Sequence, residues 1–291
     1  MTIADAWMAG REQLSALGTD EAGITAEVLL RHALGFTRTE LYMAWDRPID
    51  ETAWARYQGF LDERARGRPV AYITGHREFM GLDFRVDERV LIPRPETEVL
   101  VECVLELLRG IAAPAVADIG TGSGAIAISL AATRRDASII ATDLSAAALE
   151  VARTNAARHA VAGRIRFLQG DLLHPVVAAG VRLDVVACNP PYVAPAAADG
   201  LPKDIRDFEP ALAVVAPGAG ESLHARLVEE APRVLKPGGW LVMEVAAGQA
   251  PRVVEILSHS GVFAAPQVRR DGLGWERVLA ARIRTASAVE D

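Results

Sequence analysis

A chain of 291 residues is long enough for a substantial core and suggests about two domains, and its 51% hydrophobic and 24% charged residues exclude a disordered polypeptide. The formal charge of −7 leaves −3 on residues 1–95, which hold twelve Arg, no Lys and fifteen acidic residues, so there is no basic excess to neutralise naked nucleic acid. Apolar runs stop far short of the roughly 18 residues that span a bilayer, and MTIADAWMAGREQ has an early Asp5 and no basic n-region, which argues against a membrane or an export signal. The two cysteines, Cys103 and Cys188, sit in apolar contexts without CxxC or paired His/Cys spacing. No metal site is expected, and a reducing cytoplasm is the expected location.

Residues 1–75 read as helices, in DAWMAGREQLSALG, AEVLLRHALG and TAWARYQGFLDERARG, with apolar positions recurring at three and four. Residues 76–95 change texture. Phe79, Leu82, Phe84, Val86, Val90 and Ile92 are spaced like two short strands around Asp87-Glu88-Arg89, a hairpin and hinge stiffened at its exit by Pro93 and Pro95. A helix, ETEVLVECVLELLRG, follows and stops at Gly110. From residue 114 strands and helices alternate, which predicts an α/β domain over 96–285 built on a mostly parallel sheet. Its last segment, QVRRDGLGWERVLAARI, reads as two strands joined at Asp271–Gly274, so an antiparallel strand is expected to close the sheet. Residues 286–291 are expected to fray.

The chemistry-bearing motifs fall at predicted strand ends. Gly120-Thr121-Gly122-Ser123-Gly124 ends the first strand and opens a helix, where a glycine turn lets backbone approach a ligand. Asp143 ends the next strand, 23 residues after Gly120, where a carboxylate can accept from both ribose hydroxyls of an adenosine. Asp171 follows the third strand, where an adenine edge could be recognised. Asn189-Pro190-Pro191-Tyr192 ends the apolar run LDVVAC. Amide and exocyclic amine nitrogens are poor nucleophiles because their lone pair is delocalised, so a site that alkylates them needs acceptors facing the N–H groups. Asn189 and the Pro190 carbonyl supply such acceptors, and Tyr192 supplies a flat wall.

Gly120, Gly122 and Ala125 also satisfy the GxGxxG/A dinucleotide fingerprint, which leaves an NAD(P) oxidoreductase as a rival. Asp118 two residues before the first glycine, and a fourth strand ending in NPPY, resemble instead the layout of a class I S-adenosylmethionine-dependent methyltransferase. The helical leader, PVAYITGHREF at 69–79, LIPRPETE at 91–98, DIGTGSGAIA, NPPY, FEP at 208–210, KPGG at 236–239 and ERV at 276–278 together resemble the PrmC/HemK family, the protein-(glutamine-N5) methyltransferases of class I peptide chain release factors. The resemblance implies a Rossmann-like catalytic domain with a small N-terminal helical domain joined by a β-hairpin. It implies S-adenosyl-L-methionine as cofactor, with S-adenosyl-L-homocysteine as product. Gly120, Thr121, Gly122, Ser123 and Gly124 then surround the methionine part, Asp143 holds the ribose, and Asp171 with Leu172 surround the adenine. Some relatives carry an aromatic residue at position 172, so stacking is expected to be weaker with Leu172. Asn189 touches both cofactor and substrate, and Pro190, Pro191 and Tyr192 complete the glutamine pocket. Arg94 and Glu96 are candidates for tying the hinge to the active site, although a plain interdomain ion pair is the favoured account of them.

On this reading the target carboxamide NH2 donates to Asn189 Oδ1 and to the Pro190 carbonyl, and orientation rather than a strong base supplies most of the rate. Residues 1–75 are expected to recognise the release factor, and the enzyme is expected to be a monomer that binds no nucleic acid directly. A glutamine methyltransferase of a ribosomal protein, an adenine-N6 nucleic-acid methyltransferase and a non-catalytic binding module are the further alternatives.

Overall fold

The computed structural model describes residues 1–285, so the tail expected at 286–291 lies outside the described residues. The chain begins with α1 (Ile3–Ala16), α2 (Ala22–Leu34), α3 (Arg38–Met43), α4 (Glu51–Ala65) and α5 (Val70–Thr74). Apolar spacing predicts α1, α2 and α4. It misses α3 and α5, which are 6 and 5 residues long and leave no room for a period to register. α3 carries a different signal, Thr37-x-x-Glu40: the Thr37 hydroxyl accepts from Glu40 N, and the Glu40 carboxylate accepts from Thr37 N. The apolar faces of these helices meet in a core where Leu14, Leu29, Leu30, Leu41 and Tyr57 are fully buried. Gly10 is needed there, because a Cβ in its place would lie 1.9 Å from Tyr57 Oη.

β1 (His76–Phe79) and β2 (Leu82–Arg85) form a two-stranded sheet. The turn expected at Asp87-Glu88-Arg89 lies instead at Met80-Gly81. Both of those residues have positive φ, 52° and 74°, as a two-residue hairpin loop requires. Gly81 adopts this geometry without steric cost, and the Glu98 carboxylate holds the strained Met80 by accepting from its N–H at 2.7 Å. Asp87 and Arg89 pair with each other in the segment beyond the strands.

After α6 (Pro95–Leu107) strands and helices alternate: β3 (Ala115–Ile119), α7 (Ala125–Thr133), β4 (Ser138–Asp143), α8 (Ala146–Arg158), β5 (Ile165–Gln169), α9 (His174–Ala178) and β6 (Leu183–Cys188). Then come α10 (Lys203–Phe208), α11 (Ala211–Val214), α12 (Ser222–Glu230), β7 (Leu235–Glu244), α13 (Ala250–His259), β8 (Gln267–Arg270) and β9 (Glu276–Arg282). The seven-stranded sheet has the order β5-β4-β3-β6-β7-β9-β8, parallel from β5 through β7, with β9 antiparallel to both β7 and β8. This is the α/β class expected from the alternation. Central strands are buried on both faces, as Val116, Ala117, Val185 and Val186 show, and therefore read as continuous apolar runs. Leu227 and Val228 of α12 and Val253 and Leu257 of α13 share one cluster with Ile119, Val186 and Met243 of the sheet.

The chain divides into two compact units, Met1–His76 with Pro202–Phe208, and Arg77–Leu201 with Glu209 onward. The first thus takes in α10 as well as the leader. The second contains the sheet and every candidate site residue.

Candidate active site

Strand register brings the motifs together. Ile119, the last residue of β3, pairs with Cys188, the last of β6, and Cys188 pairs with Met243 of β7. The next residue on each chain is Gly120, Asn189 and Glu244, so these three stand abreast at the carboxyl edge of the sheet. On the other side Ile119 pairs with Thr142, and Asp143 follows. The sheet therefore sets the glycine loop, the Asp143 carboxylate and NPPY side by side at the ends of neighbouring strands, the place where such sheets bind ligands.

The glycine loop is held by backbone bonds. Gly120, Gly122 and Gly124 have φ of 71°, 56° and 85°, a region that other residues enter only with strain. Gly124 is also crowded, since a Cβ there would lie 2.7 Å from Ile128 Cδ1. Thr121 N donates to Thr142 O at 2.8 Å, and Gly122 N donates to Asp143 Oδ2 at 2.9 Å. Asp143 Oδ1 accepts from Ser145 N at 2.9 Å, so both oxygens are positioned while each keeps a lone pair. Burial pushes the Asp143 carboxyl up, against the backbone N–H groups that lower it.

Asp118 is fully buried behind this loop. Its Oδ2 accepts from the Thr121 hydroxyl at 2.6 Å and from Ala127 N at 3.0 Å, while Oδ1 has no partner among the described residues. Burial pushes its carboxyl to about 7. A buried acceptor left open at the head of a glycine loop fits a ligand that carries an ammonium group. Asn155 of α8 is fully buried too: its Nδ2 donates to Ser123 O and Arg85 O, both at 2.9 Å, and its Oδ1 accepts from Arg85 N at 2.8 Å. It joins the glycine loop to β2, a role that nothing in its local sequence announces.

Asp171, expected beside the adenine, is already engaged within the protein. The Asp171 carboxylate is engaged by Arg226 of α12 at 2.7 and 3.3 Å, and Arg226 also reaches Glu230 at 3.2 Å. Leu172 has φ of 44°, its side chain packs against the core cluster and its carbonyl accepts from Thr142 Oγ1 at 3.2 Å.

At the NPPY corner, Asn189 Nδ2 donates to Thr97 Oγ1 at 3.1 Å. Among the described residues no donor is bonded to Asn189 Oδ1 or to the Pro190 carbonyl. Tyr192 is half-buried, and burial pushes its phenol up to about 12, so it stays neutral. The backbone is gripped closely here: Val193, the next residue, donates its N–H to Val214 O at 3.2 Å and accepts from Ala216 N at 2.8 Å, while a Cβ at Gly220 would lie 2.7 Å from Tyr192 O. Arg94 forms an ion pair with Glu209 of the FEP stretch, whose side chain is 1% exposed. Of the two hinge residues singled out, Arg94 is therefore fastened to the segment that follows NPPY.

Residues 5–75 match the family described as PrmC N-terminal domain, and residues 95–203 match the methyltransferase small domain. A release factor glutamine methyltransferase from Nitratidesulfovibrio vulgaris is 42% identical over 273 residues, 94% of this chain and 92% of the relative. One from Moorella thermoacetica is 41% identical over 97% of this chain and 98% of its own length. The chain belongs to the release factor glutamine methyltransferase family. The fold is shared more widely, since the solved hMettl16 catalytic domain superposes with a TM-score of 0.58 at 20% identity, over 73% of this chain and 79% of that one.

Within this family frame the structure adds residues that motif reading passed over. Thr97 lies inside the PRPETE stretch, yet its role shows only once the fold sets its hydroxyl against Asn189. Glu244 ends an apolar strand, WLVMEV, where a lone acid is itself a signal, and it is 1% exposed. In the sequence Asp118 stands out only by its spacing from the first glycine, and its open oxygen becomes visible in the structure.

Proposed function

We propose that this protein transfers the methyl group of S-adenosyl-L-methionine to the side-chain amide nitrogen, N5, of a glutamine in a class I peptide chain release factor, leaving S-adenosyl-L-homocysteine. The observation that carries the reading is the Asn189 corner, where a carboxamide held through its NH2 leaves Oδ1 and the neighbouring Pro190 carbonyl as acceptors beside the glycine loop. Two acceptors matched to one planar NH2 suit a carboxamide.

When bound, S-adenosyl-L-methionine supplies an electrophilic methyl on a positively charged sulfur. Gly120–Gly124 would surround its methionine part, Asp143 would accept from the ribose hydroxyls, and the open oxygen of Asp118 would take the ammonium group. Asn189 Oδ1 and the Pro190 carbonyl receive the two N–H groups of the target glutamine and fix its nitrogen in line for transfer. Tyr192, kept neutral, walls the planar group without adding charge. As the C–N bond forms, the methyl–sulfur bond would break with its electron pair left on the sulfur of S-adenosyl-L-homocysteine, and the nitrogen would give up one proton to water, so no strong base is required. The acidic leader suits a protein acceptor better than nucleic acid, and the helical unit would grip the body of the release factor around its glutamine-bearing loop. Enzyme and acceptor would meet in the cytoplasm.

The test is to incubate the protein with S-adenosyl-L-methionine and a purified class I release factor, then locate the modification by mass spectrometry. One glutamine should gain about 14 mass units, methyl in place of hydrogen, and an unmodified glutamine would remove the proposal. Deleting residues 1–75 should sharply reduce methylation of the intact release factor, and equal rates would remove the recognition role from the leader.

A further inference from the structure

β9 runs antiparallel to β7, so the chain enters β9 at the same edge of the sheet that carries the ends of β6 and β7. Glu244 pairs with Val278, and Val245 N donates to Arg277 O at 2.9 Å. The hairpin loop before β9, Asp271-Gly272-Leu273-Gly274-Trp275, therefore stands beyond the level of Asn189, on the side of NPPY away from the glycine loop and Asp143. Two strand spacings and three residues of rise put it about 10 Å across the sheet from β6 and about 10 Å further out.

This loop is held in one shape. The Asp271 carboxylate, 5% exposed, accepts through Oδ1 from Leu273 N and Trp275 N, both at 3.0 Å, and through Oδ2 from two guanidinium nitrogens of Arg277 at 3.1 and 3.0 Å. Asp271 N donates to Trp275 O and Gly274 N to Asp271 O, both at 2.9 Å, and Arg270 donates to Gly274 O at 2.8 Å. What this frame presents to solvent is apolar, with Leu273 81% and Trp275 54% exposed. A single exposed apolar side chain is ordinary. Leu273 and Trp275 differ, because they share one loop whose backbone a buried ion pair fixes. They bury little in the fold, and the loop has already given up the freedom that binding would otherwise cost.

Scale decides what they meet. A free glutamine received at Asn189 would not reach the loop. A protein interface of ordinary size covers about 800 Å² per partner, a disc about 16 Å in radius, so a protein seated on Asn189 also covers a loop about 14 Å away. Trp is among the side chains that most often dominate such contacts.

We propose that Leu273 and Trp275 form a docking point for the acceptor protein: an apolar surface of the release factor, next to its glutamine-bearing loop, packs on them and sets the angle at which the glutamine enters. The inference rests on the reading of a release factor as the acceptor and of Asn189 as the place that receives its glutamine.

The experiment uses the full-length enzyme with saturating S-adenosyl-L-methionine and an intact class I release factor as the varied substrate. The double variant Leu273→Ala, Trp275→Ala should raise KM for the release factor about tenfold or more with kcat changed by less than about twofold, the pattern of lost binding rather than lost chemistry. Its affinity for S-adenosyl-L-homocysteine should stay within about twofold of wild type. If the double variant does not fold, the decision passes to Leu273→Asp, at a side chain too exposed to support the core, where a charge set against an apolar partner should raise KM by a similar factor. A wild-type KM, or a loss that falls on kcat alone, would overturn the proposal. So would a wild-type enzyme that sediments as a dimer and a double variant that sediments as a monomer, since the loop would then belong to a second copy of this chain. Failure of the underlying reading shows separately, as a wild-type enzyme that leaves the glutamine unmethylated.

Discussion

The glycine-loop corner and the Asn189 corner lie on neighbouring strands, yet they are built from different materials. Around the glycine loop the bonds run mostly to backbone: Gly122 N and Ser145 N to Asp143, Ala127 N to Asp118, Asn155 to Ser123 O and to both backbone groups of Arg85. Around Asn189 they run between side chains from distant segments, with Thr97 92 residues away in sequence and Arg94 115 residues from Glu209. Backbone donors are fixed once the strand and helix form. Side-chain groups can turn, so the two corners should fail differently when disturbed.

The largest separation is expected from Asn189→Ala. Removing one preorganised hydrogen-bonding group typically costs on the order of 3 kcal/mol of transition-state stabilisation, so kcat should fall about a hundredfold or more while cofactor binding changes far less. Steady-state kinetics together with calorimetric titration of S-adenosyl-L-homocysteine would show the split. A loss confined to cofactor binding would move Asn189 into the first corner.

Asn155→Ala should do the opposite. It strands the buried Ser123 carbonyl and both backbone groups of Arg85, for a stability cost of about 3 kcal/mol, and it loosens the loop that holds the cofactor. A lower Tm and weaker S-adenosyl-L-homocysteine binding are expected, with kcat at saturating cofactor nearly kept. An unchanged Tm would mean that water replaces the side chain.

This contrast also explains what could be read from the chain beforehand. GTGSG and Asp143 are legible because the chemistry lies in local backbone geometry, which Gly and a strand-end acid advertise. NPPY is legible as four consecutive residues. Thr97 is not, because it looks ordinary in its own segment and meets Asn189 only when α6 and β6 come together, and Glu244 shows in the sequence only as a lone acid in an apolar strand. The hairpin turn was misplaced for a related reason: Asp87-Glu88-Arg89 is strongly polar and reads as a loop, whereas Met80 is no turn former and is held at positive φ by Glu98 from another element. α10 and α11, 6 and 4 residues long, leave no periodic trace in the Pro-rich stretch after NPPY.

A pH experiment sharpens the comparison. Burial is the main cause that raises Glu244 to about 7 from 4.5, with Thr97, Arg277 and Arg94 opposing and Glu96 adding to it. The folded protein therefore binds this proton more tightly than the unfolded chain. Stability is fully present below about pH 4.5 and declines as pH rises through 7, by about 3 kcal/mol as an upper bound for this one group. Glu244→Gln removes the charge, so its Tm should gain on wild type between pH 5.5 and 8. A difference in Tm between Glu244→Gln and wild type that does not change from pH 5.5 to 8 would show that the Glu244 proton is not linked to folding.

The smallest effect is expected at Asp171, where the two kinds of construction meet. Asp171 and Arg226 form an ion pair whose side chains are 42% and 38% exposed, and solvent screens such pairs to about 1 kcal/mol or less. Each Asp171 oxygen still has a lone pair, so the carboxylate can serve Arg226 and an adenine amino group together. Asp171→Ala should then weaken S-adenosyl-L-homocysteine binding by about 3- to 10-fold, one ordinary hydrogen bond, with Tm almost unmoved. Arg226→Ala should weaken it less, since it unfastens the carboxylate without removing it. If Asp171→Ala has no effect, the carboxylate belongs to Arg226 alone. Adenine would then be gripped by packing against the half-buried Leu172 and the exposed Leu144 beside Asp143, a surface that supplies contact but no hydrogen bond.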